Sequence, residues 1–156
     1  MSALVIREAD RPDEAELLRM MRILAEQEPG KIKFDEPAAR ASFRQLLTLP
    51  AFGRTWLLCV ENKPVGYIVL TIGFSLEFHG HDAFIDELYV DAAYRRRGFG
   101  RQAVAFLEQR AREMGVNAIH LEVDRGNDPA VELYRRMEYE DHARFLMTKW
   151  LNRKTY

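Results

Sequence analysis

IDELYVDAAYRRRGFG, residues 85–100, runs from the end of an apolar strand pattern through three arginines to a glycine-containing helix start. The first turn of a helix carries backbone N–H groups without helical acceptors and a partial positive charge, so it binds anions. Gly98 and Gly100 allow a bulky group to approach the backbone closely. Arg95, Arg96 and Arg97 add charge-assisted contacts. The pattern therefore indicates a pyrophosphate site.

Other interpretations of this segment start from the same residues. A solvated basic turn before a glycine-containing helix would also fit the sequence. A Walker loop needs a Gly-Lys-Ser/Thr ending, which is absent. A dinucleotide fingerprint needs three glycines and a distant acid, and only Gly98 and Gly100 are present.

Hydrophobic periodicity and turn residues on either side of this segment predict ten elements in the order β-α-α-β-β-β-α-β-α-β. This order favours an α/β domain with a mixed sheet, because hairpins occur beside crossovers. The predicted strands cover residues 3–8, 55–61, 65–73, 83–90, 118–123 and 145–150, with a hairpin turn at 61–64 and a polar loop at 74–82. The predicted helices follow Asp10, run between Pro37 and Pro50, extend from Gly98 to Gly115 and extend from Asp128 to Met137.

Length and composition limit the classes of protein to consider. The 156 residues predict a single domain over 1–156, and the formal charge of -1 gives no general attraction to nucleic acid or an anionic membrane. The one cysteine, Cys59, excludes an intrachain disulfide and a four-thiolate metal site, and it lies in an apolar run typical of a core. No apolar run suggests a membrane span, and the N-terminus does not resemble a signal peptide, so we expect a cytoplasmic protein.

Two motifs give the chain a specific resemblance. The segment from Arg95 to Gly100 is similar to the Arg/Gln-x-x-Gly-x-Gly/Ala loop of the GNAT superfamily of N-acetyltransferases, and residues 85–90 resemble that family's central strand. Residues 127–134, NDPAVELY, resemble its second motif, Asn-x-x-Ala-x-x-x-Tyr. The resemblance implies an α/β fold with a mixed, mostly antiparallel sheet that splays between two parallel strands and is flanked by helices.

The resemblance also implies acetyl-CoA as co-substrate. Its pantetheine arm would lie between two strands ending near Val90 and Val123, paired with the backbone of Leu88 and Val90. Backbone N–H groups from Arg96 to Arg101 would hold the pyrophosphate. The implied cofactor-binding residues are Leu88, Tyr89, Val90, Arg95, Arg96, Arg97, Gly98, Phe99, Gly100, Arg101, Asn127 and Tyr134.

Acetyl transfer to an amine needs a group that accepts the proton of the ammonium, and Asp86 and Glu87 are the candidates. Alternation along a strand predicts that their side chains point to opposite faces, with Asp86 on the face of Leu88 and Val90. In polyamine acetyltransferases of the family an acid at the position matching Asp86 faces the substrate, which favours Asp86 over Glu87. Each acid could instead form an ion pair with an arginine, and Glu122 is a third candidate.

Two further roles come from the resemblance. Tyr134 would protonate the departing thiolate, although a core tyrosine would give the same pattern. The backbone N–H of Leu88 would stabilise the developing oxyanion. One departure from the family is Met137-Glu138-Tyr139 in place of Leu-Gly-Phe, and a left-handed residue at Glu138 would cost about 1 kcal/mol without glycine.

The histidines give weaker indications. His79 and His81 form a His-x-His pair in the predicted loop, and Asp82 is adjacent. No other ligands occur at suitable spacing, so we predict no metal site and favour a position at the edge of the substrate site. His120 and His142 are interpreted as structural.

The acceptor is the least determined part of the prediction. Residues 66–90 look like the diamine and spermidine branch of the superfamily, and acids in the first helices and their loop would attract a cation: Glu26, Glu28, Asp35 and Glu36. Related chains also acetylate aminoglycosides, amino acids or protein amines. The sequence thus predicts an N-acetyltransferase, with a non-catalytic acyl-CoA-binding module and a nucleotide-binding protein of another class as alternatives. A homodimer is compatible with it.

Overall fold

The computed structural model describes residues 2–28 and 33–152. The chain falls into two compact units, Met1–Glu122 and Val123–Tyr156. The first unit contains strands β1 (Leu4–Glu8), β2 (Gly53–Val60), β3 (Lys63–Ser75), β4 (Gly80–Val90) and β5 (Ala118–Leu121), and helices α1 (Glu14–Gln27), α2 (Glu36–Thr48) and α3 (Phe99–Glu113). The second contains helix α4 (Asp128–Arg136) and the segment after it.

The five strands form one mixed sheet in the order β1-β2-β3-β4-β5. The first four are joined as antiparallel neighbours, and β5 pairs parallel to β4. This confirms the predicted α/β fold with a mixed, mostly antiparallel sheet. The predicted turn at 61–64 is also confirmed, because Glu61 and Asn62 both have positive φ, as a type I′ hairpin requires.

The helices begin at the residues that sequence chemistry favours. Asp10 and Asp13 form a capping box before a short 3₁₀ turn that leads into α1. The Asp35 side chain accepts from the backbone N–H of Ala38 at the start of α2, with Pro37 in the first turn. The cap removes one of the unbonded N–H groups at the helix start.

Two apolar layers cover the sheet. On one face, side chains from alternate strand positions pack against α1 and α2; the buried cluster contains Ala9, Leu17, Met20, Phe43, Leu57, Cys59, Tyr67, Val69 and Tyr89. Cys59 is therefore a core residue, as predicted. On the other face, the intervening strand residues Leu58, Ile68 and Leu70 are buried, and so are Ala103, Val104 and Leu107 of α3.

Two predicted elements differ in the structure. The polar loop predicted at 74–82 is shorter, because β3 continues to Ser75 and β4 begins at Gly80. The strand predicted at 145–150 is wrong: these residues are exposed and carry no strand. A strand needs a neighbour to take its hydrogen bonds, and no described residue pairs with this segment.

Among the described residues, no helix is long and apolar enough to cross a membrane.

Candidate active site

The ladder between β4 and β5 ends early. The two strands pair from Asp82 and Ala118 to Ile85 and Leu121, whereas β4 continues to Val90. On its other edge β4 stays paired with β3 as far as Val90. The sheet therefore opens on the β5 side of β4 just after Ile85, where the resemblance predicted a splayed parallel pair.

The backbone of β4 is oriented to use this opening. The N–H of Asp91 donates to the carbonyl of Val65 on β3. Alternate residues of a strand direct their N–H groups to the same edge. Tyr89 therefore also faces β3, whereas the N–H groups of Leu88 and Val90 point to the β5 side.

A β-bulge precedes these residues and changes the predicted placement of the two acids. Glu87 lies opposite Val69, but Ile85 lies opposite Leu70, the next residue of β3. Directly opposed residues share a face, so Ile85 and Glu87 are on opposite faces and Asp86 is the extra residue between them. The strict alternation behind the prediction for Asp86 and Glu87 is therefore interrupted at Asp86, and Glu87 lies on the face of Tyr67, opposite to that of Leu88.

Both acids act on one buried phenol. The Tyr67 hydroxyl donates to Oε2 of Glu87 at 2.7 Å. Burial raises the pKa of the Tyr67 hydroxyl, and the negative charges of Glu87, Asp86 and Glu28 raise it further. Tyr67 has no exposed surface. Sequence reasoning missed this residue, because a tyrosine in an apolar strand has the same pattern as a core aromatic.

Asp86 is exposed, yet surrounding protein atoms remove enough water to raise the pKa of its carboxyl. A carboxylate with a raised pKa is a better proton acceptor near neutral pH than an ordinary one. Asp86 is therefore the more suitable base, and Glu87 is engaged by Tyr67.

A polar cluster fixes the end of β4. The Asp91 carboxylate accepts from the Tyr89 hydroxyl at 2.8 Å and from Arg19 of α1 at 3.3 Å. Burial and hydrogen bonding to Asp91 raise the pKa of Tyr89 to about 12. These bonds hold the last residue before the basic loop against α1. The sequence did not indicate Asp91, because nothing in its neighbours predicts contact with Arg19.

The basic loop leads directly into α3. Arg96 and Gly98 have φ of 60° and 78°, and Gly98 is the N-cap without a side-chain cap. The first helical bond runs from Gln102 N–H to Gly98 carbonyl, so the preceding N–H groups at the start of α3 are outside the helical ladder. These are the donors predicted to hold a pyrophosphate.

The arginines of the loop divide into two groups. Arg95 is hydrogen-bonded within the protein: its Nε donates to the Val90 carbonyl at 2.8 Å and another guanidinium N–H donates to the Gln27 side chain at 2.8 Å. Arg97 lies over the Tyr94 ring at 5.0 Å. Arg96 and Arg101 are exposed. Arg95 therefore positions the loop, and the other three are available to phosphate.

Asn127 and Tyr134 belong to the second unit, at the start and in the last turns of α4. The Asn127 side chain accepts from the N–H of Ala130, so it caps the helix. Burial raises the pKa of the Tyr134 hydroxyl, so Tyr134 stays protonated over a wide pH range. Its ring meets that of Tyr139 edge to face at 5.7 Å.

The remaining predicted residues are dispersed or structural. Asp35 caps α2, and Glu36 pairs with Arg22 and Arg40. His79 is in the β3–β4 turn and His81 is the second residue of β4, about 17 Å along the strand from Asp86. This separation does not support a place for them at the substrate edge. Within residues 2–28 and 33–152 no three His, Cys, Asp or Glu side chains gather into a candidate metal site.

Comparison with known proteins was made on the sequence and on the fold. The model of the acetyltransferase (GNAT) family matches residues 17–139. The chain is 31% identical over 152 residues to thialysine N-epsilon-acetyltransferase of Sus scrofa, which covers 90% of this chain and 86% of that protein. The Bos taurus protein of the same name is 28% identical over 155 residues with the same coverage.

Two solved structures share the fold. An integron cassette protein from the mobile metagenome of Cole Harbour Salt Marsh has a TM-score of 0.83 at 31% identity and covers 96% of this chain and 91% of its own. A predicted acetyltransferase from Clostridium acetobutylicum, solved with acetyl-CoA, has a TM-score of 0.79 at 16% identity and covers 94% of this chain and 96% of its own. The second likeness concerns the fold alone.

Proposed function

The chain belongs to the GNAT family of acetyltransferases and is an acetyl-CoA-dependent N-acetyltransferase, and from this premise we propose that it acetylates a primary amine of a small cationic molecule by direct attack in a ternary complex. The observation that carries the proposal is the opening beside β4. The ladder to β5 stops at Ile85 and is followed directly by Asp86 and Glu87. The strand then leads through the basic loop to the N–H groups of α3 that are outside the helical ladder.

Acetyl-CoA supplies the acetyl group as a thioester. The N–H groups of Leu88 and Val90 point into the opening, as a pantetheine arm paired with β4 would need. The first N–H groups of α3, with Arg96, Arg97 and Arg101, would hold the pyrophosphate, since donors and positive charge meet there. Asn127 is proposed as a further contact. Arg95 donates to the Val90 carbonyl and lies over the Tyr89 ring, and Phe99 stacks on Tyr94, so these contacts stabilise the loop.

The proton of the acceptor is the first chemical requirement. An ordinary primary ammonium has a pKa of about 10.4, so it must lose a proton before its nitrogen can attack. Asp86 takes this proton, directly or through water, and its raised pKa favours that role. Glu87 keeps its hydrogen bond from Tyr67 and adds negative charge that attracts the cation.

Two hydrogen donors stabilise the negative charges that develop on the carbonyl oxygen and on the departing sulfur. As the neutral amine attacks the carbonyl carbon, negative charge develops on the carbonyl oxygen, and the N–H of Leu88 is directed to stabilise it. The C–S bond then breaks, and Tyr134 gives its proton to the sulfur. The nitrogen loses its second proton to solvent as the amide forms, Tyr134 regains a proton from solvent, and Asp86 releases the proton that it took from the ammonium. One proton is released overall for each amide formed.

The acceptor class follows from charge and from the relatives. Glu87 accepts the hydrogen bond of Tyr67, and the charges of Asp86 and Glu28 also raise the pKa of that hydroxyl, so the region is negatively charged. The relatives at about 30% identity are named for thialysine, an amine-bearing small molecule. A small cationic primary amine is therefore the proposed acceptor. The single-domain organisation over 1–156, the homodimer and the cytoplasmic location stay predictions, and light scattering tests the homodimer.

The test measures thiol release from acetyl-CoA with a panel of primary amines. Asp86→Asn is expected to lower kcat/KM by a factor on the order of a hundred or more, and Tyr134→Phe by about tenfold or more. Glu61→Gln, at the exposed β2–β3 turn, is the matched control and should match the wild type. Tight CoA binding without turnover on any amine would refute the proposal and favour a non-catalytic acyl-CoA-binding module.

A further inference from the structure

A histidine–carboxylate pair lies on the sheet next to the opening. Nε2 of His120 on β5 is 3.1 Å from Oδ2 of Asp82 on β4. The two side chains are only 18% and 16% exposed. A pair this well enclosed holds one geometry better than an ion pair on the surface, where side-chain entropy opposes it.

The surroundings of the pair restrict both partners. The His120 ring lies 4.7 Å from the ring of Phe78 and 5.1 Å from that of Phe84, measured between centroids. Gly73 lies opposite Asp82 on β3, and a Cβ at Gly73 would come within 2.9 Å of Oδ1 of Asp82. The absence of a side chain at Gly73 thus leaves the space that this carboxylate occupies.

The chemistry of the pair selects one tautomer of His120. An ionised carboxylate only accepts hydrogen bonds, so the Nε2 beside Asp82 must carry the hydrogen. In the neutral ring Nδ1 is then the acceptor. His120 in this state can receive a hydrogen bond from an ammonium, and the charge of Asp82 strengthens that acceptor through the ring.

The position of the pair relates it to the catalytic acids. His120 lies opposite Phe84 in the parallel ladder, one rung before the strands part. Phe84 and Glu87 lie on the same face of β4, because their partners Thr71 and Val69 are alternate residues of β3, and Asp86 lies between them in the chain. His120 is two residues along β4 and one strand across the sheet from Asp86, so the backbones of the two residues are about 8 Å apart.

We propose that His120, held in one tautomer by Asp82, binds a second ammonium of the acceptor while the first is acetylated beside Asp86. This inference rests on the proposed function and assigns the side chain that holds a second cationic nitrogen of the acceptor. His120 contacts the acceptor, and Asp82 is a positioning residue that acts through it. Gly73 contributes by leaving room for Asp82.

The experiment compares two acceptors of the same length: hexylamine and the hexane diamine with an amine at each end. In the wild type the diamine should have the lower KM by about tenfold, the value of one hydrogen bond between charged or polarised groups. Asp82→Asn and His120→Leu should raise the KM of the diamine by about the same factor and leave its kcat within about twofold. Neither should change the KM of hexylamine.

Two further variants separate positioning from folding. Gly73→Ala displaces the Asp82 carboxylate without touching His120, so it should raise the KM of the diamine alone. His79→Asn removes an exposed histidine at the hairpin turn, where asparagine tolerates the φ of 60°, and should change neither KM. Nitrogen NMR of the His120 ring should show protonated Nε2 in the wild type and a tautomer mixture in Asp82→Asn.

The outcomes distinguish the two proposals. A wild type that turns over both amines with equal KM, or variants that affect both amines alike, would overturn the role of His120 and leave amine acetylation standing. A tautomer unchanged in Asp82→Asn would overturn the positioning role of Asp82. A wild type that binds CoA but acetylates neither these amines nor any of the panel would refute the proposed function, and this inference with it.

Discussion

Replacing Tyr67 with phenylalanine tests the link between the core and the catalytic acids. The ring would keep its place in the core, 6.0 Å from the ring of Tyr89. The variant loses only the hydroxyl that donates to Glu87 at 2.7 Å, in a residue with no exposed surface. A hydrogen bond to a charged group contributes about 1.5–3 kcal/mol. We therefore expect Tyr67→Phe to lower the free energy of unfolding by about 2 kcal/mol and Tm by about 4–8 °C.

The same change has a distinctive pH dependence. Because the pKa of Tyr67 is raised in the folded protein, its contribution is complete below the ordinary tyrosine pKa of about 10. Above that pH the unfolded chain loses the Tyr67 proton and the folded protein keeps it, so stability falls with pH. The Tyr67→Phe variant does not lose stability in this way as the pH rises. The stability difference between wild type and variant should therefore shrink by about 1.4 kcal/mol between pH 8 and pH 11.

Urea unfolding at both pH values measures the two effects, with the fluorescence of the buried Trp56 as a signal of the core. Tyr94→Phe is the matched control, because it keeps the ring that stacks on Phe99 and lies in a half-buried position. It should leave stability nearly unchanged at either pH. A difference for Tyr67→Phe below about 0.5 kcal/mol at pH 8, or one that does not shrink at pH 11, would show that the hydroxyl is not held as described.

Three further changes probe other parts of the chain. Glu138 has φ of 67°, and the N–H of Tyr139 donates to the Tyr134 carbonyl as in a Schellman cap, so Glu138→Gly should raise the free energy of unfolding by about 1 kcal/mol in a urea titration. Hydrogen bonds from Arg44, and then Arg40, lower the pKa of Glu14 to about 2, so its contribution is present above its ordinary pKa and is lost as pH falls toward 2; Glu14→Gln should lower Tm at pH 7 and flatten the acid limb of a Tm-against-pH curve. Desolvation raises the pKa of Asp86, so its charge disfavours the folded state at neutral pH, and Asp86→Asn should raise Tm while turnover is lost; a lower Tm would contradict the assigned cause.

Local chemistry made most of the fold predictable. The cap at Asp10, the turn at Glu61 and the left-handed position at Glu138 each depend on a few neighbouring residues, and each is where the sequence indicated. The cap at Asp35 was not predicted, because Asp35 was interpreted as an acid that attracts the acceptor. The strand predicted at 145–150 depended on apolar residues alone. Those residues favour a strand only if another strand pairs with them, and the local sequence does not show whether such a partner strand exists.

The candidate site was predictable in identity but not in geometry. Asp86 and Glu87 were named from their place beside the basic loop, whereas the break in alternation between Ile85 and Glu87 depends on an extra residue in the β3–β4 register. The contacts of Tyr67 with Glu87 and of Asp91 with Arg19 join residues 20 and 72 positions apart. Such partners follow from the folded register and from helix packing, which short-range patterns do not specify.

The bulge at Asp86 explains how one strand serves both the core and the site. If β4 kept all its residues but paired with β3 without a bulge, every side chain after Ile85 would point to the opposite face of the sheet. Tyr89 would then leave the cluster under α1 and α2, and Glu87 would leave the Tyr67 hydroxyl. With the bulge, Tyr89 stays in the core, both acids act on Tyr67, and the N–H groups of Leu88 and Val90 point to the β5 side. One inserted residue thus joins the core to the opening, because it keeps Glu87 and Tyr89 on the face of Tyr67 while the same strand borders the opening on its β5 side.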